Sequence, residues 1–357
     1  MTDLAQSHSL MLESLLAGAL AARAALFDER REMAFRLFNG FTEGWPGLAV
    51  DLYARTLVLH NYASDPAANE AALVTAQQFY LAQLPWLDAV LLKTHHARDA
   101  RRRNGILLAG ERLARKVREP GSPARVWYAV DLQLNRDASL YLDTRNLRFW
   151  ALQHLHGMRV LNTFAYTGSL GVAAQAAGAT QVLHLDLNRT FLNVAKTSYT
   201  LNGFPIRKSD FQTGDFWPQI SRLIRAGALF DCVFLDPPFF AATDKGVVDL
   251  EHNYARLLNK VRPLVADGGW LVALNNGLYV SGAEYWQTLQ TVCADGYLTI
   301  EALLPVAEDF TGYESTRVAA DKRAEVTDPA PFNHATKIAL LRVRRKDGLK
   351  AVTPFSA

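Results

Sequence analysis

Apolar positions along the first third of the chain change period several times. Between residues 10 and 36, long aliphatic residues recur at intervals of three and four among alanine and glutamate, which predicts a helix. Asn39 to Gly47 is rich in turn formers. Leu48–Tyr53 and Thr56–Tyr62 then read as a hairpin turning at Ala54 and Arg55, and Ser64-Asp65-Pro66 is a stop. A helix is predicted over residues 68–84, with strands at 88–93, 105–110 and 126–132. These segments predict a small α+β unit ending near residue 125.

From residue 147 the pattern becomes regular. Helices are predicted at 147–155, 169–177, 190–202, 216–226, 249–264 and 283–294. They alternate with apolar strands at 159–164, 181–186, 206–210, 230–235 and 269–274. Such alternation demands a parallel sheet with helices on both faces. Tyr297–Pro305 and Lys337–Arg345 complete seven strands as an antiparallel edge pair. The expected fold is α/β and Rossmann-like. Its domains are a helical extension over 1–37, an α+β domain over 38–125 and the α/β domain over 126–357. The extension either packs on the first domain or helps bind a partner.

Composition narrows the function classes only a little. Half of the 357 residues are hydrophobic and the net charge is +3, as in an ordinary globular protein. Charge distribution adds more: Arg98 to Arg118 holds eight basic residues against Asp99 and Glu111, and Arg342, Arg344, Arg345 and Lys346 form a second group. Such groups either contact phosphates or form solvated faces. Cys232 and Cys293 make neither a disulfide framework nor a metal site, and His95 and His96 lack metal-type spacing. No signal peptide and no long charge-free apolar span is evident, so the expectation is a cytoplasmic protein with no membrane association and no metal.

The strongest local signal runs from Val160 to Val172. A strand enters a turn with Gly168 and Gly171, and a helix then begins. Glycine lets backbone approach a ligand, and the helix offers unpaired N–H groups. Close packing of strand on helix would ask for the same residues. Asp186, 18 residues after Gly168, ends the next strand, where a carboxylate can hold ribose hydroxyls or cap a helix. Asp210 is expected to end the third strand and reach a purine edge, with Phe211 packing on the ring. No Walker lysine follows the glycines, and the dinucleotide G-x-G-x-x-G spacing is missing, which argues against ATP hydrolysis and NAD.

Several collinear motifs resemble class I S-adenosylmethionine-dependent methyltransferases of large-subunit ribosomal RNA, a family with cytosine-C5 and guanine-N7 branches. Phe164-Ala-Tyr-Thr-Gly-Ser-Leu-Gly171 is similar to its F-x-Y-T-G-x-x-G turn, and Tyr141-Leu-Asp-Thr-Arg145 to its F-L-D-x-R. Leu185-Asp-Leu-Asn188, Leu201-Asn-Gly203, Asp236-Pro-Pro238 and Gly44-Trp-Pro-Gly-Leu-Ala-Val-Asp51 match V-D-x-S, L-N-G, D-P-P and G-x-P-G-L-x-V-D. The resemblance spans roughly residues 38–346. It implies S-adenosylmethionine as cofactor, S-adenosylhomocysteine as product and ribosomal RNA as partner. It assigns cofactor binding to Asp143, Arg145, Asn162, Thr163, Phe164, Ala165, Tyr166, Thr167, Gly168, Asp186, Leu187, Asn188, Asp210, Phe211 and Asp236. Two features depart from the family. Residues 1–37 are too few for its additional RNA-binding PUA domain, and its Q-K-T-G segment reads Asn135-Arg-Asp-Ala-Ser139.

Catalysis is expected at Asp236, Pro237, Pro238, Phe239 and Asn275. The two prolines stiffen the loop after the fourth strand and set Asp236 and a carbonyl against a substrate nitrogen. Phe239 and Phe240 would stack on a base, or pack in the core. Cytosine C5 needs a thiolate for covalent activation, whereas guanine N7 needs no base. In the cytosine-C5 branch a cysteine follows the fifth strand. Here that stretch is Leu274-Asn-Asn-Gly-Leu-Tyr279, closer to the guanine-N7 branch. The expected activity is methylation of an RNA base nitrogen. Alternatives are a small-molecule or protein methyltransferase, and a nucleic-acid-binding protein without catalysis. The sequence leaves the oligomeric state open.

Overall fold

The computed structural model describes residues 2–318 and 327–347. The chain forms two units, Met1–Asp143 with Ala307–Glu325, and Thr144–Val306 with Val326–Ala357.

The first unit contains α1 (Thr2–Ala22), β1 (Ala34–Asn39), α2 (Gly40–Glu43), β2 (Leu48–Tyr53), β3 (Thr56–Asn61), α3 (Glu70–Gln83), β4 (Ala89–Thr94), α4 (Ala100–Asn104) and β5 (Ile106–Gly110). Two short strands follow, β6 (Lys116–Val117) and β7 (Tyr128–Ala129). β1 to β5 form one sheet in chain order, with β3 and β4 parallel and the other neighbours antiparallel. Alternation places Phe35, Leu37, Val50, Leu52, Leu57, Leu59 and Val90 in one core with Leu12, Leu16 and Ala19 of α1 and Leu73 and Ala76 of α3.

Three expectations change here. The helix expected to reach residue 36 stops at Ala22, because residues 34–39 alternate with period two and pair with β2. Residues 126–132 pair only at Tyr128–Ala129. α1 shares the core of the sheet, and the unit runs on to residue 143, beyond the boundary read near 125. Tyr53 donates to the Leu140 carbonyl at 3.0 Å, and Lys93 Nζ to those of Asn135 and Asp137 at 2.9 and 3.4 Å. The stretch 135–140 is thereby fastened to this sheet.

The second unit begins with α5 (Arg145–His154) and β8 (Arg159–Thr163), α6 (Ser169–Ala176), β9 (Gln181–Asp186), α7 (Arg189–Leu201), β10 (Phe211–Thr213), α8 (Phe216–Arg225) and β11 (Phe230–Leu235). A hairpin of β12 (Phe240–Thr243) and β13 (Gly246–Asp249) precedes α9 (Tyr254–Val261), β14 (Val265–Asn275), α10 (Gly282–Cys293) and β15 (Leu298–Leu303). The chain then visits the first unit in α11 (Glu308–Thr311), where Asp309 accepts from the Arg36 backbone at 3.0 Å, before β16 (Lys337–Val343).

The sheet order is β10-β9-β8-β11-β14-β16-β15, and β16 alone runs against its neighbours. The expected antiparallel pair is present, with β16 inserted between β14 and β15. Order reverses between β8 and β11, so the carboxyl ends of those strands open on a switch point, where open α/β sheets bind ligands. Val233, Leu235, Leu271 and Ala273 pack on the helices of one face. Cys232, Phe234, Val272 and Leu274 pack under α5 and α6 on the other.

Candidate active site

The turn after β8 is wound tightly. Phe164 and Tyr166 both take positive φ, 52° and 49°, as does Gly168 at 79°. Asp186 at the end of β9 holds this shape: Oδ2 accepts from Tyr166 N at 2.8 Å and Oδ1 from Asn188 N at 2.7 Å. Burial raises its carboxyl pKa, and those two N–H groups oppose the rise. Asn188 caps α7 through Thr190 N at 2.8 Å, and Leu187 between them is 62% exposed. A half-buried carboxylate with lone pairs to spare, beside a bare aliphatic side chain, suits a ribose and the apolar face of a purine. The acceptor and the apolar side chain therefore fit S-adenosylmethionine.

Other assigned residues do different work. Asn162 and Thr163 are buried; Thr163 Oγ1 donates to the Phe234 carbonyl at 2.7 Å, and Asn162 Nδ2 lies 3.4 Å from His184 Nδ1. Their side chains tie strands together. Ala165 is buried and its N–H bonds Leu185 O at 2.9 Å, Thr167 is buried, and Tyr166 packs edge-on against Phe191. Arg145 is buried at the start of α5, and Asp143 closes the first unit. The glycines answer to His184. A Cβ on Gly171 would sit 2.2 Å from its Cε1, and one on Gly168 would sit 2.5 Å from Ala195 Cβ. Close packing under α6 requires both positions.

Asp210 and Phe211 are corrected outright. Asp210 precedes β10 and does not end it, since Phe211 pairs with His184 and Thr213 with Asp186. The Asp210 carboxylate accepts from Gln181 at the start of β9, at 3.3 Å. Phe211 is stacked on His184 in the core, with centroids 4.9 Å apart. At the carboxyl end of β10 the chain instead offers Gly214, Asp215 and Phe216. Asp215 caps α8 through Trp217 N at 2.9 Å and accepts from Thr243 Oγ1 at 2.6 Å. Phe216 stacks on Phe164, with centroids 4.6 Å apart. A Gly-Asp pair just before an amphipathic helix was the available signal.

Asp236 is half-buried at the end of β11, with Pro237 buried and Pro238 exposed. Phe239 and Phe240 stand out to solvent, 37% and 58% exposed, so neither is a core aromatic. Tyr279, 73% exposed and unmarked in the sequence, faces Phe239 at 6.2 Å. Asn275 ends β14 at 1% exposure; Oδ1 accepts from Gly277 N at 2.9 Å, while the buried Nδ2 has no partner. Lys337 lies opposite Asn275 across the ladder. Its Nζ donates to Gly277 O at 3.0 Å and fixes the loop, and burial lowers its pKa to about 8. No thiol reaches these strand ends. Cys232 is inside β11 and Cys293 ends α10, and burial raises both, Cys293 to about 11. Among the described residues there is no acidic, histidine and cysteine cluster able to hold a metal, and no helix long and apolar enough to cross a membrane.

Six strands running one way, one inserted antiparallel strand, and carboxylates at the ends of β9 and β11 define a class I methyltransferase. The chain matches the family described as S-adenosylmethionine-dependent methyltransferase over residues 36–291, and it belongs to that family. S-adenosylmethionine is its cofactor and S-adenosylhomocysteine its product. A Photobacterium profundum protein named ribosomal RNA large subunit methyltransferase I is 27% identical over 270 residues, covering 74% of this chain and 67% of that protein. A protein of the same name from Serratia proteamaculans is 27% identical over 298 residues, covering 83% and 71%. Among solved structures, a methyltransferase complexed with SAH has a TM-score of 0.76 at 19% identity, covering 94% of this chain and 82% of its own. An Agrobacterium tumefaciens SAM-dependent methyltransferase has a TM-score of 0.57 at 19% identity, covering 84% and 88%. At such identity these likenesses concern the fold.

Proposed function

We propose that this methyltransferase acts on a nitrogen atom of a base in RNA, ribosomal RNA being the class of substrate. The observation that carries the reading is the end of β11: a half-buried Asp236 followed by exposed aromatic rings, with no thiol at any neighbouring strand end. Two relatives named as ribosomal RNA methyltransferases support the choice of RNA.

When bound, the cofactor supplies an electrophilic methyl group, and the chain has to orient the acceptor and keep water out. Phe239 and Tyr279 offer exposed ring faces on which a base lifted from its stack can pack. Asp236 and the Pro237 carbonyl accept hydrogen bonds from a nitrogen that bears protons, and the prolines hold them still. Asn275 Nδ2 supplies a donor for an acceptor on the base edge. A ring or amine nitrogen needs no covalent activation, which matches cysteines that stay as thiols.

The test is methyl transfer from labelled cofactor to RNA, protein and metabolite fractions of cells lacking the protein, with nucleoside analysis of any labelled RNA. Label in an N-methylated nucleoside is expected. Label in 5-methylcytidine, or in protein or metabolites alone, refutes the proposal.

A further inference from the structure

In the first unit, the sheet face opposite α1 and α3 carries a chain of polar side chains of which the quoted methyltransferase motifs include only Asp51. Arg36 on β1 pairs across the ladder with Asp51 on β2 and holds it by two bonds of 2.8 and 3.2 Å. Asp51 Oδ2 lies 3.0 Å from His60 Nε2 on β3. His60 Nδ1 lies 3.0 Å from Nε2 of His95, just beyond β4. Tyr62 stacks on His95 with centroids 4.0 Å apart.

The carboxylate sets every proton in this chain. Arg36 and His60 keep Asp51 ionised against the opposing effect of burial. A lone pair on His60 Nε2 would be repelled by that charge at 3.0 Å, so Nε2 carries the proton, even though its N–H is poorly aligned for a full hydrogen bond. A neutral imidazole has one donor and one acceptor. His60 Nδ1 is therefore an acceptor, His95 Nε2 is the donor to it, and His95 Nδ1 is left with a lone pair. That atom has no partner among the described residues, and the side chain is half-buried. Burial lowers the pKa of both histidines, and for His95 the charges of Arg136, Lys93 and Arg36 lower it further.

The result is a neutral acceptor close in the chain to a run of cations. Arg98, Arg101 and Arg102 follow His95 and are exposed, as is Arg136. Arg103 differs, because its guanidinium donates to the carbonyls of Ala97 and Arg98. Arginines in a row seat a nucleic-acid backbone through its phosphates. Phosphate and ribose ring oxygens only accept hydrogen bonds. The one donor along that backbone is the ribose 2′-hydroxyl, which DNA lacks. We infer that His95 accepts a hydrogen bond from a ribose 2′-hydroxyl and so lets the first unit tell RNA from DNA. The inference rests on RNA being the substrate.

The experiment is fluorescence anisotropy on the full chain with one labelled stem-loop made as RNA, as DNA and as RNA with single 2′-deoxy substitutions. The wild type is expected to bind RNA roughly 2- to 12-fold more tightly than DNA for one neutral hydrogen bond, with one deoxy position accounting for the difference. His95→Phe keeps a ring against Tyr62 and removes the acceptor. It should reduce RNA affinity to the DNA level and leave DNA affinity and the salt slope unchanged. His95→Gln, whose amide can present oxygen, should recover part of the preference. Undiminished discrimination in His95→Phe, or equal wild-type affinity for RNA and DNA, overturns the role of His95 while leaving RNA methylation standing. Discrimination that follows base identity and ignores the 2′ position also overturns it. Absence of binding to either nucleic acid removes the RNA reading as well. The deoxy series needs no variant, so a misfolded substitution does not block the test.

Discussion

Replacing Gly171 by alanine separates two reasons for a glycine in the cofactor turn. The added Cβ would lie 2.2 Å from His184 Cε1 and 2.9 Å from both ring nitrogens. His184 has nowhere to retreat. Its ring is stacked on Phe211, Nε2 is 3.0 Å from the Tyr199 hydroxyl, and Nδ1 faces Asn162 Nδ2 at 3.4 Å. Overpacking of this kind costs about 1–3 kcal/mol, and a lost hydrogen bond to Tyr199 adds about 1 kcal/mol. Gly171 lies within α6, so alanine returns about 0.5–1 kcal/mol of helix propensity. The net expectation is about 1–3 kcal/mol of destabilisation, a melting temperature lower by roughly 2–12 °C.

Urea unfolding and calorimetry of Gly171→Ala, His184→Ala and the double variant decide the cause. If the glycine serves packing, the double variant is more stable than the summed single effects by about 1 kcal/mol or more, and it still binds S-adenosylmethionine. A Gly171→Ala penalty equally large without His184 would refute the packing argument. So would a stable double variant that cannot bind the cofactor, since the glycine would then serve the ligand.

Asp186→Asn removes the charge that would face the ribose and should weaken cofactor binding by roughly 1.5–3 kcal/mol by calorimetry, with a small fall in melting temperature because Tyr166 N loses its carboxylate partner. Unchanged affinity would exclude Asp186 from the ribose. His184 is buried and neutral in the fold, with its pKa lowered to about 3 by burial, against an ordinary value near ~6.5. Protonation therefore favours the unfolded chain as pH falls from ~6.5 towards ~3, and stability should fall by at most ~1.4 kcal/mol per pH unit from this group; His184→Phe should flatten urea midpoints measured between pH 7.5 and 5. Cys232→Ser with Cys293→Ser should retain methyl transfer in the labelled-cofactor assay, with some stability lost at Cys232, and a dead but folded double variant would restore a thiol mechanism.

What the sequence revealed depended on the length of each periodic stretch. β9 and β11 are six-residue apolar runs flanked by helices, and the strand ends read at Asp186 and Leu235 are those of the fold. β10 has only three residues, too few for a period, and its end was placed three residues early. That single displacement left Asp215 and Phe216, which follow the strand's true end, unmarked. The polar chain of the first unit was hidden for another reason. Arg36, Asp51, His60 and His95 come together only through strand register, and no local spacing marks an ion pair between strands. Arg23 and Glu43, buried and 2.9 Å apart, were equally unreadable. His184 was visible only as one polar residue in an apolar strand, and its role became clear once two glycines were seen against its ring.

Asn275 is where structure narrows the chemistry furthest. An asparagine amide can both give and accept hydrogen bonds. In the fold, Oδ1 is taken by Gly277 N, and only Nδ2 remains, buried and unpaired. A buried donor without an acceptor costs about 1–3 kcal/mol, and such a cost persists where a ligand relieves it. Asn275→Asp tests this with almost no change of shape. One carboxylate oxygen can still accept from Gly277 N, and the other replaces the donor by an acceptor. If the base presents an acceptor here, the variant should fold and bind cofactor normally, and lose roughly 5- to 150-fold in kcat/KM for RNA. Asn275→Ala should lose a comparable amount without the added repulsion. An Asn275→Asp enzyme as active as the wild type would show that Nδ2 meets no acceptor on the substrate, and the base edge would then be read from the Asp236 side alone.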